Sequence, residues 1–388
     1  MDKKKKIGCV IAYTEGHNNY GTSLQGYAML KKIQQLGCKV EVIHYVKRLS
    51  AFQKLRFVVN AIRAGEWKNI AARLTRKKTL KKYPQYAAGI AERTKAVNAY
   101  KAKKLLPLFH TYEGYNALHE GSLQYDAVVV GSDQVWTPMS LPNKFFNLLF
   151  VDDSVRKVAY ASSFGVSEIP SFQRKATGAY LDRFYKIGVR EERGKEIVEE
   201  LSHQKATVVA DPTLLLTREE WETEISDARP HESEPYIFCY FLGTNQNARQ
   251  AAIRLKKQTG YRIITIRHMD EYVPEDEQFG DEAPYHVDPN DFVKYISQAA
   301  YVCTDSFHCT VFSILFHRQF MTFYRFAERS KTGRNSRIDS LFKILGLQDR
   351  LYAGNISAID NSISYDKVDE KLKSLREDSL EFLKNSLK

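Results

Sequence analysis

Residues 301–316 constrain the fold more tightly than any other stretch. Tyr301, Val302, Cys303 and Thr304 make a brief run of β-formers. Asp305 and Ser306 follow, with side chains of the kind that cap a helix and accept its free amides. Residues 307–316 are then mostly apolar and too many for one strand. The pattern predicts a short buried strand, a tight turn and a buried helix, the repeating unit of an open α/β sheet. It puts His308 in the first turn of a helix at the carboxyl end of a strand. Ligands bind in that crevice of such sheets, and the unpaired amides and dipole of a helix start attract anions. A satisfied, partly buried histidine and a functional imidazole both fit the position.

The rest of the chain repeats the unit. Residues 7–13 read as a strand and 17–22 as a polar, Gly-containing turn. Residues 23–36 carry Leu24, Tyr27, Ala28, Leu30, Ile33 and Leu36 at helical spacing, Gly37 stops them, and 40–46 is a second strand. This opening predicts a right-handed parallel βαβ unit. Its turn lacks the GxGxxG of a dinucleotide site. Residues 127–130 are apolar on both faces, as a central parallel strand is. Gly131, Ser132 and Asp133 close it beside the 17–21 turn, with Asp133 either a cap or a ligand-binding carboxylate. Residues 157–165 repeat the pattern, and 185–192 form a short strand ending on Arg190. That arginine either pairs with Glu191 or a neighbour, or offers its guanidinium fork to a carboxylate or phosphate.

Residues 208–213 end the first half, and the acidic stretch 214–235 reads as the interdomain connection. A second set of strands is expected at 236–242, 262–266, 301–304 and 319–324, with helices at 247–259, 291–300 and 307–316. Residues 268–288 read as a mobile acidic loop, 334–345 as a helix over the cleft ended by Gly346, and 367–388 as a last amphipathic helix. The expectation is two Rossmann-like α/β domains, 1–213 and 236–355, facing across a cleft, joined by 214–235 and followed by a helical tail, 356–388.

Charge is unevenly spread. The net charge is +12, yet residues 47–104 alone hold 17 lysines and arginines against Glu66 and Glu92. This segment, within an insertion about 47–106, reads as two or three helices with Leu55, Phe57, Val58, Ile62, Trp67, Ile70 and Leu74 on apolar faces. A solvated face is one account. Aromatics and aliphatics beside so many cations also suit an anionic membrane surface. No nucleic-acid motif accompanies the charge, so nucleic acid is not expected. No apolar run approaches a membrane span, and the basic start of the chain leads straight into a strand rather than a signal-peptide core. Five scattered cysteines without a CxxC pair suit reduced thiols in the cytoplasm.

Carboxyl strand ends facing one another would line a cleft with Asn19, Gly21, Asp133 and Arg190 on one wall and Gly243, Ser306, Phe307 and His308 on the other. Cation, imidazole and helix amides around one void suit a small anionic substrate. No His/Cys/Asp cluster has metal-ligand spacing, and no GxSxG elbow marks a hydrolase.

Asn19-Tyr20-Gly21, Tyr125-Asp126 through Gly131-Ser132-Asp133-Gln134-Val135-Trp136, Val189-Arg190-Glu191, Asp211-Pro212-Thr213 and Thr304-Asp305-Ser306-Phe307-His308 together resemble the polysaccharide pyruvyl transferase family, over about residues 7–355. The resemblance implies a glycosyltransferase-B-like fold and transfer of the enolpyruvyl group of phosphoenolpyruvate onto two sugar hydroxyls, giving a pyruvate ketal and phosphate. It implies no cofactor beyond this donor. The second domain becomes the donor side and the first the acceptor side. Arg190 matches a donor-binding arginine and His308 the donor-site histidine and acid/base, with Asp133 orienting or deprotonating the acceptor. Where the family often has Arg-Leu-His, this chain has Ser306-Phe307-His308, leaving Arg337, Arg334 or Arg325 to supply the guanidinium. The expected product is a surface or capsular polysaccharide precursor, its acceptor lipid-diphosphate-linked, made on the inner membrane face. A nucleotide-sugar glycosyltransferase of the same shape is the alternative, a non-catalytic basic adaptor the next.

Overall fold

The computed structural model describes residues 4–13, 18–47, 78–230, 232–269, 272–325 and 335–388, with isolated positions 16, 55, 58, 59, 63 and 76. His17, Arg334 and most of the basic stretch 48–77, including Phe57, Ile62, Trp67, Ile70 and Leu74, lie outside the described residues.

The first half builds one parallel sheet. Strand β1 (Lys6–Val10), helix α1 (Tyr20–Gln35) and strand β2 (Lys39–Val46) form the expected βαβ unit. Helix α2 (Pro84–Lys104) follows, then β3 (Phe109–Glu113), α3 (Tyr115–Ser122) and β4 (Ala127–Val130). Next come β5 (Arg156–Ser162), α4 (Ser171–Leu181), β6 (Lys186–Val189), α5 (Glu192–Leu201) and β7 (Ala206–Val208). The strand order is β3-β2-β1-β4-β5-β6-β7. Ala127 and Val129 of β4 are buried in one apolar cluster and Val128 and Val130 in another, as its two-sided apolar run requires.

Two short helices, α6 (Pro212–Leu215) and α7 (Arg218–Glu224), occupy the stretch read as a connection. Thr217 and Glu220 form a capping box, and Trp221 is fully buried between Tyr27 and Phe312. The second half runs β8 (Tyr236–Tyr240), α8 (Gln246–Thr259), β9 (Arg262–Thr265), α9 (Pro289–Gln298), β10 (Tyr301–Thr304), α10 (Phe307–Leu315) and β11 (Gln319–Thr322). Its parallel sheet has the order β11-β10-β8-β9. Helix α11 (Ser336–Leu345) ends on Gly346 at φ 75°, the left-handed cap read from the sequence.

The last helix, α12 (Tyr365–Leu387), crosses back to the first sheet. Ser379 Oγ accepts from Ala210 N at 2.8 Å, and Arg376 Nε donates to Leu214 O at 2.7 Å. Gly188 in β6 has no room for a side chain, because an added Cβ would lie 2.9 Å from the Phe382 ring.

The described part of the acidic 268–288 loop is fastened rather than free. Arg93 of α2, almost fully buried, donates to the carbonyls of Arg267, Pro284 and Tyr285. Asp276 pairs with Arg249 at 2.6 Å.

Candidate active site

In each sheet the first strand has a neighbour on either side, so the order in which strands are added reverses there: between β1 and β4, and between β8 and β10. The two crevices beyond these carboxyl ends face one another. Between them lies a cavity of about 420 Å³. Ala12, Tyr13, Asp133 and Gln134 line it after β1 and β4; Leu242, Asp305, Ser306, Phe307 and His308 line it after β8 and β10.

One buried carboxylate gathers the charged groups beside it. Asp211 caps α6 and is buried. Its Oδ1 accepts from Thr213 N and Oγ1; its Oδ2 accepts from Arg190 Nη1 at 2.8 Å and Ser132 Oγ at 3.2 Å. His308 Nε2 stands 3.6 Å from the same Oδ2. Burial opposes the charge, but His308 and Arg190 hold the Asp211 carboxyl well below the usual range.

Asp133 is the second acidic group. It sits at φ 80°, a strained backbone for a residue with a Cβ. Oδ2 accepts from Thr22 Oγ1 at 2.9 Å and Oδ1 from Gln134 N at 2.9 Å. Burial pushes its pKa up, but Arg190, His308 and Arg337 outweigh that and bring it down to about 2. Asp133 is therefore both a cap, as one sequence reading had it, and part of the cavity wall.

Arg190 takes the other expected role. Its side chain is 2% exposed and is absent from the cavity lining. One nitrogen bonds Asp211, the other stands 3.4 Å from Asp133, and its Cζ lies 4.9 Å from the Phe307 ring centre. Phe307, which lines the cavity, lies against this guanidinium. Of the two readings of Arg190, pairing with a neighbour is the one observed, although the partners are Asp211 and Asp133 rather than Glu191.

The remaining expected residues divide in the same way. Asn19 lines the cavity and caps α1, accepting from Thr22 N. Gly21 and Gly243 act by close approach instead of lining it. A Cβ on Gly21 would fall 2.0 Å from His308 Nδ1; one on Gly243 would fall 2.9 Å from Asp305 Oδ2, which accepts from Gly243 N. Ser306 caps α10, accepting from Cys309 N. Phe307 carries Arg337 as well, its guanidinium 5.5 Å from the ring centre. Arg325 and Arg337 both line the cavity.

Three contributors went unread in the sequence. Asp211 was read only within the Asp-Pro-Thr that ends the first half and enters the family resemblance, which gave no sign of its charge partners. Thr22 was read as part of a turn. Lys101 was read as one cation of the basic segment, yet it is 4% exposed and lines the cavity beside Tyr13, its ammonium 5.3 Å from that ring centre. Burial pushes its pKa down to about 8.

Two facing Rossmann-like domains with the site between them define an enzyme architecture of the glycosyltransferase-B type. One solved structure supports the fold. A presumed UDP-N-acetylglucosamine 2-epimerase from Listeria monocytogenes superposes with a TM-score of 0.51 at 10% identity, over 94% of this chain and 91% of that one. The UDP-GlcNAc 2-epimerase from Neisseria meningitidis gives 0.49 at 9%, over 97% and 100%. At such identities the likeness concerns the fold. No curated protein matches the sequence. The model of the polysaccharide pyruvyl transferase family matches residues 19–325, and the chain belongs to that family.

Proposed function

We propose that this protein transfers the enolpyruvyl group of phosphoenolpyruvate to two hydroxyls of a sugar in a polysaccharide precursor, forming a pyruvate ketal. The observation that carries the reading is the single cavity in which Arg325, Arg337 and the amino end of α10 meet His308 and Asp133. The arginines and helix amides suit the donor's phosphate and carboxylate.

In this scheme His308 protonates the methylene carbon of the donor, leaving an oxocarbenium-like centre at the phosphate-bearing carbon. A sugar hydroxyl bonds to that carbon and gives its proton back to the imidazole. The carbon–oxygen bond to phosphate breaks with its electron pair going to phosphate. The neighbouring hydroxyl then closes the ketal, its proton leaving with phosphate. Asp133, a carboxylate at neutral pH, orients the attacking hydroxyl. Arg190, packed against Phe307, holds Asp211 and Asp133 in place, and Asp211 in turn faces His308.

Incubating the protein with phosphoenolpyruvate and candidate acceptors should release phosphate only when an acceptor is present. Binding of a nucleotide sugar without any binding of phosphoenolpyruvate would favour glycosyl transfer instead.

We also place the reaction at an anionic membrane face. Among the described residues no helix is long and apolar enough to cross a membrane. Lys81, Lys82, Lys95 and Lys103 are exposed, and so are Leu55, Val58 and Val59. That mixture suits peripheral binding at about 1 kcal/mol per basic residue. Sedimentation with anionic liposomes at low salt should bring the protein down; no sedimentation would exclude this location.

A further inference from the structure

The loops after β4 and β5 are fastened to one another beside the cavity. Ser163 N donates to Asp133 O at 2.9 Å, and Trp136 N donates to Ser163 O at 3.1 Å. Ser163 Oγ donates to Glu191 Oε1 at 2.8 Å and accepts from Gly165 N at 3.2 Å. Gly165 stands at φ 64°, a left-handed backbone that glycine adopts without strain. The side chain of Gln134 rests on that glycine. A Cβ there would fall 2.8 Å from Gln134 Nε2 and 3.0 Å from its Cδ. Any larger residue at 165 would push the amide off its seat.

Gln134 lines the cavity directly after Asp133, and its backbone N–H donates to the Asp133 carboxylate at 2.9 Å. Its amide nitrogen is buried and meets no hydrogen-bond partner. A donor withdrawn from water and left unpaired is destabilising, and on a cavity wall it points to a ligand that pairs with it. Half a turn about the last side-chain bond exchanges the two ends of the amide, and on the nitrogen's side it breaks no hydrogen bond. Gln134 can therefore offer the cavity its N–H.

The chemistry of the two walls says which ligand this is. Arg325, Arg337 and the start of α10 come from the second domain and suit an anion. Gln134 shares the first domain's wall with Asn19, Thr22 and Asp133. A neutral amide brings no charge to a phosphate and matches a hydroxyl instead. Closing a ketal needs two hydroxyls held side by side. An ionised carboxylate only accepts hydrogen bonds, whereas an amide also donates. Two adjacent residues thus offer an acceptor and a donor, the complement of two neighbouring hydroxyls.

We infer that Gln134 is a specificity residue for the sugar: Asp133 accepts from one hydroxyl of the pair, and the Gln134 amide donates to the oxygen of the other. The inference rests on the pyruvyl-transfer reading for the need of a hydroxyl pair.

The test is titration calorimetry on the full chain, first with phosphoenolpyruvate, then with methyl β-galactoside, methyl β-glucoside and methyl β-mannoside, each with and without phosphoenolpyruvate. At least one of these sugars should bind the parent protein. Gln134→Ala should weaken that sugar about tenfold, as the loss of one hydrogen bond does, and leave phosphoenolpyruvate binding unchanged. Gln134→Glu keeps the shape of the side chain and removes the donor, and it should weaken the sugar at least as far. A glutamine that only supports the fold would instead lower phosphoenolpyruvate affinity and the melting temperature together with sugar binding. That pattern would overturn the inference, as would parental sugar affinity in either variant or the absence of sugar binding to a parent that binds phosphoenolpyruvate. Failure of phosphoenolpyruvate to bind would strike the pyruvyl-transfer reading, while the sugar titrations without it still decide the role of Gln134.

Discussion

An imidazole pressed against a glycine has little freedom, and His308 is held this way. A Cβ on Gly21 would lie 2.0 Å from Nδ1, inside any tolerable contact, so the ring must move if one is added. Gly21→Ala should leave the protein folded and cut phosphate release by about the same factor as His308→Ala, on the order of 10²–10⁴. A Gly21→Ala enzyme at the parental rate would mean that the ring's position does not matter. The carboxylate facing the ring carries a second prediction. Asp211 has its pKa depressed in the folded chain, so its pairing stabilises the fold fully above the unfolded carboxyl's value of about 4. That contribution is lost as pH falls from there toward the folded value. Asp133 acts in the same direction between about 4 and 2. Asp211→Asn should therefore flatten the acid side of the stability curve. It should also lower stability near neutrality by about 3–5 kcal/mol, because the buried Arg190 loses its main partner. Urea denaturation at several pH values measures both effects, and a variant with the parental pH dependence would contradict this account.

At the scale of elements, strands and helices were legible where burial is two-sided. Residues 127–130 read as a strand because they are apolar on both faces and 301–304 because they are a brief run of β-formers, and the structure has strands at those residues. The cap at Ser306 and the stop at Gly346 were legible because each depends on one residue's local chemistry. Strand β3 was not, since Phe109–Glu113 shows a half-exposed pattern with only Tyr112 buried. The bridging course of α2 was invisible for another reason. Arg93 looks like any surface cation in the sequence, but its partners are backbone carbonyls nearly two hundred positions away. Carbonyls carry no side-chain signal. The same holds for Arg190, whose direction depends on Asp211 arriving from after β7. Arg93→Met should release the loop it grips. Hydrogen exchange at residues 284–287 should speed up by about tenfold or more, while exchange in β1 and β4 stays as it was. Unchanged exchange in that loop would show that α2 does not fasten it.

Taken whole, the molecule has two sheets but a shared interior. One cluster of buried apolar side chains runs from Ile7, Leu24 and Val129 of the first half to Phe238, Phe292 and Phe312 of the second, through Trp221 between them. Tyr20, at the start of α1, stacks on Phe292 at 4.7 Å and donates its hydroxyl to Val287 O. Helix α12 then ties the end of the chain to β6 and to the loop after β7. Domains joined by a polar interface unfold separately and hinge easily. Halves that share buried aromatics lose part of their own core when parted, so neither is expected to persist alone. Calorimetric unfolding should then give one transition, with the van't Hoff and calorimetric enthalpies in agreement. Trp221→Ala, which removes the central ring from this interior, should lower the midpoint sharply, at a cost of about 3–5 kcal/mol, and bring a second transition into view. Two well-separated transitions in the parent protein would show that the halves are energetically independent. The site depends on the outcome, because Arg325 and His308 come from one half and Asp133 and Lys101 from the other. A rigid junction keeps the charged groups of both walls at fixed separation before any substrate arrives, as preorganised electrostatic stabilisation requires.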